Sequence, residues 1–152
     1  MTGTGRKRVR TVTLPLLLAT IALLWSGCGD LSNDELNRGV ESLSALAAQG
    51  QLVANGVARD GTKTTYARAM ARTLGEQAEH EAEKLADATL EESETEDQRH
   101  AAVAVAGEIS GLLSELQTFP GDERHGELVE KHLSEAQEKA DAIVAQLSGD
   151  AP

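Results

Sequence analysis

Four histidines and a dense set of carboxylates supply most of the side chains in this sequence that could bind a metal. Glu76 and His80 stand four residues apart, as do Glu79 and Glu83, so on a helix each pair shares a face and could chelate a surface cation. The same spacing is ordinary helix surface decoration. A buried di-metal site of the carboxylate-bridged kind needs more, with inward glutamates on two helices and Glu-x-x-His on two others. Gln77 stands three before His80, and Val129 three before His132. Asp97 and Asp122, three before His100 and His125, fall where helix caps are expected. At 100° per residue, His80 and His100 point about 200° away from the apolar seam, and only His132 sits on its edge. His132, His80 and Glu76 are therefore the candidate metal ligands, with ligand number and spacing short of what a site demands. No cofactor is expected.

Other chemistries find less support. The run Glu91, Glu92, Glu94, Glu96 and Asp97 lacks the alternating oxygen ligands and turn glycine of a calcium loop. There is no Gly-rich phosphate cradle and no Gly-x-Ser-x-Gly elbow. The motifs that would mark an enzyme are absent, and the sequence reads as a non-catalytic protein.

Charge narrows the partners. All 25 acidic residues lie beyond Cys28, against ten Lys and Arg there, a formal charge of −15. Nucleic-acid binding requires clustered cations that displace counterions, so that class is excluded, and polybasic attraction to anionic lipid is absent as well. Beyond Cys28 the only aromatic residues are Tyr66 and Phe119, too few for a stacking platform. Cys28 is the only cysteine, so a disulfide or a Cys-based zinc site cannot form within the chain.

The first residues have a three-part layout. Arg6, Lys7, Arg8 and Arg10 precede an apolar run from Thr11 to Leu24, and Ser26 and Gly27 lead into Cys28. As a helix the apolar run would extend about 21 Å, short of the roughly 30 Å hydrocarbon core, so an export signal is a better reading than a permanent span. Leu24-Trp25-Ser26-Gly27-Cys28 resembles the lipobox of bacterial lipoproteins, with Trp25 where that family usually has an aliphatic residue. The resemblance covers the signal and the cysteine only. It implies diacylglyceryl transfer to the Cys28 sulfur and cleavage between Gly27 and Cys28, which frees an amine that a further acyl chain can occupy. Two or more chains would hold the protein stably at a membrane.

The remaining chain must supply the body that this address delivers. Ser32-Asn33-Asp34-Glu35 has the form of a capping box, and Leu36, Val40, Leu43, Ala47, Gly50, Ala54 and Val57 then recur at spacings of four and three, widened by Leu46 and Val53. Asp60-Gly61 should stop that helix. A second, capped by Thr62 or Thr64, places Tyr66, Met70, Leu74, Ala78, Ala82 and Leu85 on one stripe. Glu91 to Asp97 reads as a solvated turn. The third helix carries Ala102, Val105, Ile109, Leu112, Leu116 and Phe119, the last plugging the bundle end before Pro120-Gly121. The fourth starts at Asp122, with Val129, Leu133, Ala136, Ala140, Ile143 and Leu147 as its seam and Ser148-Gly149 as its stop.

The fold expected is all-α, an up-down-up-down four-helix bundle over residues 32–148, behind a signal peptide (1–27) and a lipidated tether (28–31), with a frayed tail at 149–152. Two helical hairpins pairing across a dimer are the alternative. Alanine at many seam positions buries little area, so a protein partner or a second copy would add the missing burial. The expected function is that of a protein-binding or envelope-organising module, held by lipid on Cys28 at the extracytoplasmic face of the cell membrane or outer membrane. Its rival is an extracytoplasmic bundle binding a metal or small ligand between helices, with His132 and a glutamate turned inward.

Overall fold

The computed structural model describes residues 32–88 and 93–149. Cys28, Gly27 and the preceding signal lie outside them, as do Glu91, Glu92 and the tail from Asp150. Four helices and no strands occur among the described residues: α1 (Asn33–Ala58), α2 (Thr64–Asp87), α3 (Ser93–Thr118) and α4 (Glu123–Leu147). None is long and apolar enough to cross a membrane.

The start of α1 is the capping box expected from Ser32 and Glu35. The Glu35 backbone N–H donates to Ser32 Oγ at 3.3 Å, and the Ser32 N–H donates to Glu35 Oε2 at 3.0 Å. Its end is the Asp60-Gly61 stop, with Asp60 in the left-handed region at φ 49° and the Gly61 N–H bonded to the Gly56 carbonyl at 2.9 Å. The seam proposed for α1 is buried throughout, with Gly39 added to it.

Three expectations need correction. The first concerns α2, which is capped by neither Thr62 nor Thr64, since Lys63 occupies the cap position without a side-chain hydrogen bond. Thr62 packs on the last turns of α1 instead, so close that a Cβ on Gly56 would meet its hydroxyl. The buried stripe of α2 is also rotated from the one expected, with Ala67 and Ala71 facing inward, Tyr66 exposed, and Met70 and Ala82 half-buried. Small side chains let α2 lie close to α3, and the bulkier Tyr66 and Met70 are turned to the flank.

The second correction concerns the acidic run. Rather than staying a turn through Asp97, the chain is helical from Ser93, and Asp97 lies inside α3 instead of capping it. Thr95 and Arg99 are buried, and Arg99 Nη1 donates to the carbonyls of Leu85 (2.9 Å) and Ala86 (3.0 Å) at the end of α2. Glu96 holds the same guanidinium through Nε and Nη2. Acids in the first turns of α3 are thus favoured by the helix dipole, and one of them neutralises a cation that closes the preceding helix.

The third is Phe119, which does not plug the bundle. α3 stops at Thr118, so the ring falls out of the register that turns Leu112 and Leu116 inward; it is exposed, and Pro120 is buried in its place.

α1 packs most extensively on α4 and α2 on α3, α1 touches α3 across the diagonal, and α2 does not meet α4. The α1–α4 pair is joined by Ser44 to Asp141 (2.7 Å), Gln51 to Gln137 (2.7 Å) and Asn55 to Glu130 (2.7 Å). Its tightest point is Gly126, where a Cβ would stand 2.7 Å from the Ala58 nitrogen and 2.9 Å from the Ala54 oxygen. Gly126→Ala is expected to lower unfolding free energy by about 1–3 kcal/mol, since backbone cannot yield as a side chain can. Gly107, on α3 with open space around it, serves as the opposite case, where alanine should add about 1 kcal/mol through helix propensity. Urea unfolding of both variants, read as opposite shifts in midpoint, checks the assignment.

Candidate functional site

The candidate metal ligands are placed on different faces. Glu76 and His80 are exposed on α2, at the wall of an open groove of about 570 Å³ between α1 and α2 that Ser42, Leu46 and Glu81 also line. Ser42 and Glu81 continue into a second depression, of about 230 Å³, over Gly39 and Leu85. Glu76 is engaged by Arg72 Nε at 2.8 Å. His132 is half-buried on α4, which has no contact with α2, so it does not converge with His80. Among the described residues no three His, Cys, Asp or Glu side chains gather as a metal-binding group. The other two histidines serve local structure: His100 Nε2 lies 3.1 Å from Glu96, and His125 lies in the turn before α4.

A different feature emerges at one end of the bundle. The 59–63 turn and the 119–122 turn lie together there, because Gly121 approaches Thr64 and Gly126 approaches Ala54 and Ala58. The exposed large apolar side chains among the described residues are Leu52 (76% exposed), Tyr66 (56%), Phe119 (45%) and Leu128 (54%). Leu52 stands six residues before the end of α1, Tyr66 two after the start of α2, Phe119 just past α3 and Leu128 five after the start of α4. All four therefore fall within about 11 Å of that end at 1.5 Å per residue. Ser32 begins α1 at the other end, about 39 Å away along a 26-residue helix.

Local chemistry holds part of this apolar girdle in place. Asp122 caps α4, accepting the His125 backbone N–H at 3.1 Å, and His125 Nδ1 lies 3.3 Å from the same carboxylate. The His125 ring stacks on Phe119, with centroids 4.2 Å apart and planes 25° apart. The backbone N–H of His125 first, then its side chain, lowers the Asp122 pKa below the usual carboxylate value. Sequence reading identified Asp122 as a cap. It placed Tyr66 and Phe119 on buried stripes and ended the third helix at Phe119-Pro120-Gly121, but a helix end does not by itself say which way the last ring faces.

A carboxyl whose folded pKa is depressed stabilises the fold above its unfolded pKa, and that contribution is lost as pH falls through the folded value. Asp122, Glu35 (lowered by the Ser32 backbone N–H and hydroxyl) and Glu96 (lowered by Arg99) all have this sign. Stability should therefore drop as pH falls below about 4, the ordinary carboxylate range. Asp122→Ala is expected to reduce the urea midpoint at neutral pH, with the difference from the parent chain shrinking as pH falls through the carboxylate range, which denaturation series run from pH 7 down into acid would show. Comparison with protein-family models, with curated proteins and with solved structures finds no match to this chain.

Proposed function

We propose that this protein is a lipid-anchored binding module, held at the extracytoplasmic face of a bacterial membrane through Cys28 and engaging a protein partner with the apolar girdle of Leu52, Tyr66, Phe119 and Leu128. The observation that carries the reading is the placement of that girdle at the end of the bundle remote from Ser32, four residues beyond the cysteine. Exposed large apolar groups concentrated at one end mark a surface that gains by being covered, and aromatic side chains such as Tyr66 and Phe119 are enriched in such contacts. An up-down-up-down order of the helices belongs to this reading, because it brings one apolar side chain from each helix or its following turn to the same end. Opposed hydrogen bonding along α1 and α4, and Glu79 with Ser110 between α2 and α3, supports that order.

The address and the binding surface separate experimentally. Full-length protein made in a bacterial host should carry diacylglyceryl on Cys28 by intact-mass analysis of the processed chain, and Cys28→Ser should leave the membrane fraction. A variant with Leu52, Tyr66, Phe119 and Leu128 all changed to Ser should stay anchored and folded, since exposed substitutions cost little stability. It should also lose the proteins that the parent chain recovers in cross-linked pull-downs from those membranes. An unmodified Cys28 would overturn the anchor, and unchanged recovery by the Ser variant would overturn the girdle as the binding surface.

A further inference from the structure

We propose that a second copy of this chain docks antiparallel along the outer stripe of α2, about a twofold axis passing near the Gly75–Glu76 bond. The charges of α2 are segregated along its length. From Gly61 to Gly75 the chain holds Lys63, Arg68 and Arg72 and no acid, whereas from Glu76 to Asp87 it holds five acids and Lys84. In α4, by contrast, Arg124, Lys131 and Lys139 each follow a glutamate directly.

The segregation has a symmetric register. Arg72 and Glu79 lie three residues out from Gly75 and Glu76 respectively, and Arg68 and Glu83 lie seven residues out. At 100° per residue these four side chains fall within about 60° of arc, rotated away from the buried face of Ala67, Ala71, Leu74 and Ala78. All four are exposed. Antiparallel pairing of two such stripes sets Arg68 against Glu83 of the second copy and Arg72 against its Glu79, and the twofold axis repeats both pairs. An isologous contact of this kind is self-complementary by construction.

Two further observations fit the contact. Glu76, nearest the axis, would face its own symmetry mate, and it is bonded to Arg72 through Nε alone, at 2.8 Å, which leaves the terminal guanidinium nitrogens to face Glu79 of the second copy. The flank of α3 beside the stripe presents Ser110, Ser114 and Gln117, none of which is charged. Glu79 accepts from Ser110 at 3.0 Å and keeps its other oxygen for a second donor. The twofold axis crosses α2 at right angles, so the two Ser32 ends point to opposite ends of the pair and lie at one level only along that axis, and a membrane shared by both copies is one that runs parallel to the helices. Exposed ion pairs contribute little singly. Confinement on a shared membrane raises the effective concentration and favours the pair. The inference does not depend on the apolar girdle.

The test uses two differently tagged full-length copies co-expressed in the same membranes, extracted in non-ionic detergent and captured through one tag. The parent pair should be recovered together at low salt, and at least about tenfold less at 0.5 M salt, where exposed charges are screened. R68E/R72E should fail to recover itself, since every facing pair becomes acidic, and E79R/E83R should fail because every pair becomes basic. Co-expressed with each other, the two variants restore four opposite-charge pairs and should be recovered together. Equal self-recovery by either variant would overturn the proposal, as would a mixed pair that fails while both variants keep the parent's thermal unfolding midpoint. Absence of parent co-recovery at low salt overturns it too. A variant that does not hold its midpoint is replaced by the single changes R72E and E79R, with the same outcomes expected at reduced amplitude.

Discussion

Backbone-to-backbone closeness between α1 and α4 is the constraint from which the rest of this structure follows. Gly126 meets the backbone of Ala54 and Ala58, and Gly50 on α1 makes room for the side-chain ends of Leu133 from α4 and Leu113 from α3. Helices this close bury their seams with Ala47, Ala54, Ala136 and Ala140, and the leucines and valines fill what remains. A core built so has high packing density but little apolar area per residue, because alanine removes only one methyl from water. Side chains larger than this spacing admits must go elsewhere. Tyr66 and Phe119, the only aromatic residues beyond Cys28, are both outside the core.

Charge is handled by local pairing rather than by burial. Glu35 closes the capping box of α1, Asp122 caps α4, and Glu96 sits in an early turn of α3 while holding Arg99. Each of these acids meets unpaired backbone donors or the positive end of a helix, where a negative charge is favoured. Arg99 does the converse service at the negative end of α2. A strongly acidic chain can therefore fold without an opposing excess of cations, since its helix termini provide part of the compensation.

Much of the fold was legible because a seam of apolar residues at spacings of three and four reports a buried helix face directly. Leu36 to Val57 and Val129 to Ile143 are buried as their periodicity indicates, and Asp60-Gly61 and Ser148-Gly149 end their helices. Failure came where tertiary packing overrides periodicity. On α2 the apolar pattern admits two stripes, one through Tyr66 and Met70 and one through Ala67 and Ala71, and closeness to α3 selects the smaller side chains. The run from Glu91 to Asp97 read as solvated because its acids repel. A buried Arg99 supplies the compensation, and nothing in a linear pattern announces that an arginine will fold back onto the preceding helix. The girdle was missed for a related reason: Leu52 and Leu128 are single apolar residues on polar faces, and only the fold brings them to the level of Tyr66 and Phe119.

The two ends of the bundle differ in what they leave unsatisfied. At the Ser32 end, the capping box of α1 meets the Glu35 and Ser32 backbone N–H groups, and Arg99 meets the Leu85 and Ala86 carbonyls that end α2. At the other end the backbone is equally well closed by Gly61 and Asp122, yet Leu52, Tyr66, Phe119 and Leu128 stand in solvent around it. Among the described residues, closed backbone groups occur at both ends, and exposed large apolar side chains occur at one. The asymmetry therefore does not arise from incomplete capping, which would affect backbone groups, but from four large side chains whose positions fall off the buried faces of their helices. Among the described residues that gives the molecule a direction, with large apolar side chains exposed at one end and stabilised whenever a surface of matching shape removes them from water.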